Sequence, residues 1–138
     1  MGYFLRFYVG SRSFALPVHE VDRIVPAVAV SPLNEPHSIV AGVINVEGEG
    51  VPLYDLRRVY REPQVEMGLD HRFILITWKD KSVALWVDGV DDVVSLSEDP
   101  VELPGSDRMA SMVFDDDIFA LSVVSSEEIM DLAERVAR

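Results

Sequence analysis

The sequence predicts a mainly β protein: two pseudo-repeated, five-stranded β-barrels followed by a C-terminal helix. Three observations carry this. The chain matches itself at an offset of 69 residues, half its length of 138. The matching segments alternate apolar and polar residues with the period of a strand. Only the last stretch repeats its apolar residues at helical spacing behind a capping residue.

The self-match sets Phe4–Val25 on Phe73–Val94 without a gap, and eight of 22 pairs are identical: Phe4/Phe73, Ser13/Ser82, Ala15/Ala84, Leu16/Leu85, Val18/Val87, Val21/Val90, Asp22/Asp91 and Val25/Val94. Each copy reads as strand, polar turn, strand, short break and third strand. The turns are Gly10-Ser11-Arg12-Ser13 and Lys79-Asp80-Lys81-Ser82; the breaks are His19-Glu20 and Asp88-Gly89. Leu5, Phe7 and Val9 fall on one face of the first strand and Arg6 on the other, so that face is expected to be buried. A second pair of segments, Ala41–Leu56 and Met109–Val124, repeats less closely and with a one-residue slip. Two short-stranded units must close or cover their sheet edges, which a barrel does best. One sandwich with look-alike strands is the alternative; the ungapped length of the match favours the repeat.

Helix is scarce. Ser125 and Glu128 form a Ser-x-x-Glu capping box, and Ile129, Leu132, Ala133 and Val136 make one apolar stripe. Arg135 and Arg138 suit the dipole at the far end. Asp55 to Tyr60 allows a further turn or two, with Asp55 as the cap.

Composition bounds the function. With 49% hydrophobic residues and a mean hydropathy of +0.16 the chain can bury a core without metal or disulfide. A net charge of −12, from 12 basic against 24 acidic residues, argues against nucleic-acid binding, which needs clustered Lys and Arg. The acidity serves solubility or a preference for basic partner surfaces. Apolar runs such as Ala27–Val30 and Ser82–Val87 are too short to cross a bilayer, so no membrane insertion is expected. The N-terminus lacks a signal-peptide pattern, and Arg6 stands where a myristoylation motif wants Ser or Thr. With no cysteine as well, a cytoplasmic location is expected.

No catalytic, metal or cofactor site is read from the chain. His19, His37 and His71 are scattered without metal-ligand spacing. Asp115-Asp116-Asp117 reads as a hairpin turn and lacks the spacing of a calcium loop. Asp91 and Asp92 are neighbours on a strand, so their side chains point to opposite faces and cannot share a proton. Glu47-Gly48-Glu49-Gly50 is too short and has the wrong charge to cradle phosphate.

Gly42-Val-Ile-Asn-Val-Glu-Gly-Glu-Gly-Val-Pro-Leu-Tyr-Asp-Leu-Arg57 resembles the signature of the CheW family, with Gly42, Asn45, Gly48, Pro52, Asp55 and Leu56 in register. Val83–Leu96, around Val87-Asp-Gly-Val90, is similar to that family's second-barrel strand pair, and Ile118–Val124 with Ser125–Ile129 to its last strand and helix. The resemblance covers nearly the whole chain as a single domain. It implies two interleaved SH3-like barrels and an adaptor, not an enzyme, that joins a chemoreceptor cytoplasmic tip to the regulatory domain of a CheA-type histidine kinase. Carried onto this chain, the partner-binding groove involves Val21, Arg23, Ile24, Gly42 and the turn from Asn45 through Glu47 to Gly48, with Val87, Val90 and Val93 from the second barrel. For each valine alone, a core role is the simpler reading. Two residues depart from the family pattern: Glu47 stands where it has Arg, and Gly50 where it prefers a β-branched residue. Like charges across an interface are costly, so Glu47 implies either a partner with altered charge or a divergent stand-alone interaction module. A third reading, an enzyme or small-ligand binder, would require the histidines and acids to gather in a deep polar pocket.

Overall fold

The structure is a computed structural model that describes residues 2–95, 101–102, 109–114 and 117–137. Its strands are β1 (Tyr3–Val9), β2 (Arg12–Pro17), β3 (Arg23–Pro26), β4 (Val40–Val46), β5 (Glu49–Asp55), β6 (Arg72–Trp78), β7 (Lys81–Val87), β8 (Gly89–Ser95), β9 (Val101–Glu102), β10 (Met109–Phe114) and β11 (Asp117–Val123). A 3-10 turn spans Val18–Glu20, and the helices are α1 (Leu56–Val59) and α2 (Ser126–Val136). The strands form a six-stranded sheet, β8-β1-β2-β11-β10-β9, and a five-stranded sheet, β3-β6-β7-β5-β4. The first thus has one strand more than expected, the two-residue β9. Among the described residues neither ladder closes on itself.

The repeat is visible in the register. Phe4 faces Pro17 across β1–β2, and Phe73 faces Trp86 across β6–β7, both members displaced by 69. Ile24 faces Ile74 and Val93 faces Leu5, again the same pairing in each copy. The third strands, however, are exchanged. β3 of the first copy pairs with β6 of the second, and β8 of the second pairs with β1 of the first. The second segments keep the expected one-residue slip within their own hairpins: Gly42–Leu53 and Val46–Glu49 recur as Ala110–Leu121 and Phe114–Asp117, all displaced by 68. Only against the neighbouring parallel strand is the offset 70, since Leu53 faces Ala84 and Val123 faces Ala15. The two registers differ by two residues, so every side chain keeps its face and alternation alone does not separate them.

The sheets face each other across one core. Leu5, Phe7, Phe14 and Leu16 from the first meet their repeat counterparts Ile74, Ile76, Val83 and Leu85 from the second, all buried. Burying a side chain such as Phe7 stabilises by about 1.5–3 kcal/mol, and its ring stacks on Phe14 at 5.1 Å. Among the described residues the opposite faces carry separate clusters, one around Phe73, Leu75 and Ala84 and one around Ala15 and Leu121. The central strands β2 and β7 are therefore covered on both sides.

Helix α2 begins as predicted: the Ser125 hydroxyl accepts a hydrogen bond from the Glu128 N–H at 3.1 Å. Its Ile129, Met130 and Ala133 are buried in the main core, while Leu132 and Val136 are half-buried at its margin. Asp55 caps α1, its carboxylate accepting from the Arg57 N–H at 3.0 Å. The expected turn at Asp115–Asp117 involves Asp115 and Asp116, which lie outside the described residues, as does the side chain of Asp92.

Candidate functional site

The resemblance singles out the β4–β5 hairpin. Val46 faces Glu49, leaving a two-residue loop of Glu47 (φ +51°) and Gly48 (φ +86°). Positive φ at both positions is the type I′ turn, whose twist matches that of the flanking strands. Asn45 locks it, its Oδ1 accepting from the Gly48 N–H at 2.8 Å. Gly50 pairs with Asn45 in regular ladder. The bulge in this hairpin lies at Ala41, between the pairs Val40–Tyr54 and Gly42–Leu53.

Gly42 is buried and supports the hairpin instead of facing a partner. A Cβ there would lie 2.4 Å from the Ser31 carbonyl oxygen and 2.5 Å from a Val30 methyl. The missing side chain lets the segment at Val30–Ser31 cross β4, where Ser31 and Val43 exchange two backbone hydrogen bonds of 2.8 and 2.9 Å.

Edge strand β3 meets the hairpin through Arg23. Its Nη1 donates to Glu47 Oε1 at 2.8 Å, with the side chains 49% and 77% exposed. An exposed pair of this kind contributes only about 0.2–1 kcal/mol to stability. Ile24 beside it is 38% exposed.

The repeat relates the expected site valines in pairs. Val21 and Val90 are equivalent, and both are half-buried against the main core. Ile24 and Val93 are equivalent and exposed, one on an edge of each sheet's described order. Val87 is fully buried and offers no surface, whereas its counterpart Val18 is exposed. Val28 is exposed as well. Neither Val18 nor Val28 was singled out from sequence, although Val18 was marked by the repeat.

Two polar networks hold this frame. Asp88, at the β7–β8 junction, accepts from Arg57 Nε at 2.9 Å and Nη2 at 2.5 Å, and from the Gly10 N–H at 2.7 Å. Arg57 also donates to the Pro63 carbonyl. Glu62 accepts from the Ser11 N–H and hydroxyl, and these hydrogen bonds hold its carboxyl below the usual value. In the second network, Glu20 reaches from the 3-10 turn to the start of α2. Its Oε1 accepts from the Ser126 N–H at 2.7 Å and hydroxyl at 2.6 Å, where the helix dipole favours an anion. The capping residue was legible in sequence, but this distant acceptor was not.

Burial pushes the Asp55 carboxyl up, against the pull of its hydrogen bond from Arg57 and of Arg58, whose Nε lies 3.3 Å away. Burial also pushes the Tyr60 hydroxyl up to about 12. The three histidines sit apart. His19 faces Glu20, His37 Nδ1 accepts from the N–H groups of Ile39 and Val40, and His71 Nδ1 accepts from Trp86 Nε1 at 2.9 Å. Among the described residues no three metal-ligating side chains gather, and no helix is long and apolar enough to cross a membrane.

Comparison with known proteins adds the following. A family model described as the CheW-like domain matches residues 3–134. The chemotaxis protein CheW of Bacillus subtilis is 29% identical over 96 residues, which cover 70% of this chain and 62% of that protein. The chemotaxis protein CheW of Helicobacter pylori is 24% identical over 108 residues, covering 76% and 66%. The chain thus spans somewhat under two thirds of the length of these relatives. The crystal structure of the scaffolding protein TtCheW from Thermoanaerobacter tengcongensis has a similar fold, with a TM-score of 0.73 at 20% identity over 90% of both chains.

Proposed function

The chain belongs to the CheW-like family, and on that premise we propose that it is a non-enzymatic cytoplasmic adaptor of a chemosensory pathway. In this reading the whole chain acts as one CheW-like unit of two interleaved halves. It couples a chemoreceptor cytoplasmic tip to the regulatory domain of a CheA-type histidine kinase.

The observation that carries the reading is the locked β4–β5 turn, joined to edge strand β3 beside exposed Ile24. It offers a rigid, partly apolar, charged surface, as a protein partner requires, whereas the polar side chains around it form hydrogen bonds within the fold. The half-burial of Val21 and Val90 and the exposure of Ile24 and Val93 are what groove residues would show and so support the reading. Gly42 and Val87, being buried, act behind this surface.

Titration calorimetry of the purified chain against the kinase regulatory domain and a receptor-tip fragment from the same organism tests the proposal. Saturable one-to-one binding to either is the expected result. A folded chain that binds neither refutes it. Glu47 favours one second reading, a stand-alone module for a different protein, which predicts that second outcome together with capture of another partner.

A further inference from the structure

Three properties of Glu47 show that folding does not call for a glutamate at this position. It holds φ at +51°, a conformation that suits Gly, Asn or Asp in this turn far better than a longer side chain. Its side chain is 77% exposed. Its charge is matched by Arg23, itself half exposed, in a pair too well solvated to add much to stability. A non-glycine residue held at positive φ marks a place to look for function.

The two charges of the pair also project from fixed backbone positions. Arg23 is anchored in β3 opposite Leu75 of β6, and Glu47 in a turn locked by Asn45. The cation therefore comes from the edge strand and the anion from the hairpin tip. With Arg at position 47, the family's residue there, the tip would instead be the cationic member.

We propose that Arg23 and Glu47 set partner specificity by charge polarity: the partner presents a cation to Glu47 and an anion to Arg23, with an apolar side chain over Ile24. This rests on the adaptor reading and deepens it by giving the chemistry of the partner's face. The chain's net charge of −12 works in the same direction, since it favours a basic group opposite the exposed carboxylate.

The test follows from the pairing. Glu47→Arg alone sets two guanidinium groups side by side, so its effects mix repulsion within the chain with any effect on the partner. The double variant Arg23→Glu/Glu47→Arg rebuilds the pair on the same backbone with its polarity reversed. Both singles and the double are titrated against the kinase regulatory domain and the receptor-tip fragment, with circular dichroism to verify the fold. The double variant is expected to bind at least about tenfold more weakly than wild type to the partner that covers this patch. Its affinity is expected to recover when the matching charges on that partner are reversed. If wild type binds and the double variant binds within about twofold, the polarity inference is overturned while the adaptor reading stands. The same holds if the double variant regains what the singles lose, because the pair then acts only within the chain. If folded wild type binds neither probe, the adaptor reading fails and the inference falls with it.

Discussion

Replacing Asp88 by alanine removes the centre of the network that ties the β1–β2 turn, the segment after α1 and the β7–β8 junction together. Three hydrogen bonds to its carboxylate are lost, two from Arg57 and one from the Gly10 N–H. The lower bound on the cost is one hydrogen bond to a charged group, about 1.5–3 kcal/mol. The upper bound is the breaking of a fully buried ion pair, about 3–5 kcal/mol. The side chains of Arg57 and Asp88 are 14% and 19% exposed, so water reaches the orphaned guanidinium only in part, and Arg57 keeps the Pro63 carbonyl. The expected loss is about 3 kcal/mol, a large share of the 5–15 kcal/mol typical of a domain. Urea denaturation followed through Trp78 and Trp86 measures it, and the midpoint should fall without a change in slope. Completed with Arg57→Ala and the double variant, the cycle should give a coupling of about 1–3 kcal/mol. A loss below about 1 kcal/mol, or additivity within about 0.5 kcal/mol, would refute the reasoning.

Further outcomes are expected. Gly42→Ala drives a methyl into the Ser31 carbonyl and Val30; it should cost about 1–3 kcal/mol and speed hydrogen exchange at the Ser31 and Val43 amides. Ile129→Ala, at a fully buried position of α2, should cost about 2–5 kcal/mol in urea, and Leu132→Ala, half-buried, distinctly less. Glu20→Ala should destabilise by about 1–3 kcal/mol through the freed Ser126 N–H, while Glu20→Gln, which still accepts it, should retain most of the stability in thermal melts. The raised carboxyl of Asp55 gives a sign for pH. The folded state holds the Asp55 proton more tightly than the unfolded chain, so this contribution is full below the ordinary value of 3.8 and is lost as pH rises through the raised one. Asp55→Asn keeps a capping oxygen and does not titrate. Its stability relative to wild type should therefore rise over that interval in paired denaturation curves; a constant difference would contradict the assignment.

The hairpins were legible because their signals are local. Alternation placed Leu5, Phe7 and Val9 in the core, the offset of 69 reproduced the registers of β1–β2 and β6–β7, and Ser125 and Asp55 announced their helices. The exchange of β3 and β8 was not legible from periodicity, and only the family resemblance, which implied interleaved barrels, pointed to it. Both strands carry the same pattern, so either satisfies either hairpin, and the choice depends on chain connections that periodicity does not encode. The slip of 68 held within the β4–β5 and β10–β11 hairpins, but the two-residue difference in how β5 and β11 pair with β7 and β2 escaped, since such a shift leaves every face unchanged. At the site, Glu47 stood out as a departure from the family pattern, but its partner Arg23 lies far away in sequence and only the fold brings them together. The long-range carboxylates Glu20 and Asp88 were hidden in the same way.

The exchanged strands have a consequence for how the protein is made. On the ribosome, β1 and β2 emerge before the strands that flank them, so Leu5 must wait for Val93 and Phe14 for Ser122 before their sheet is complete. Until β11 has been made the edge of β2 lacks its partner, although the aromatic face of Phe7 and Phe14 is covered earlier, by Tyr60 and then by Ile74 to Leu85. Such nascent chains invite chaperone capture or pairing with a neighbouring chain on the same message. The six-stranded sheet should therefore gain its protease resistance in a late step, once β11 has been made, not half by half as translation proceeds.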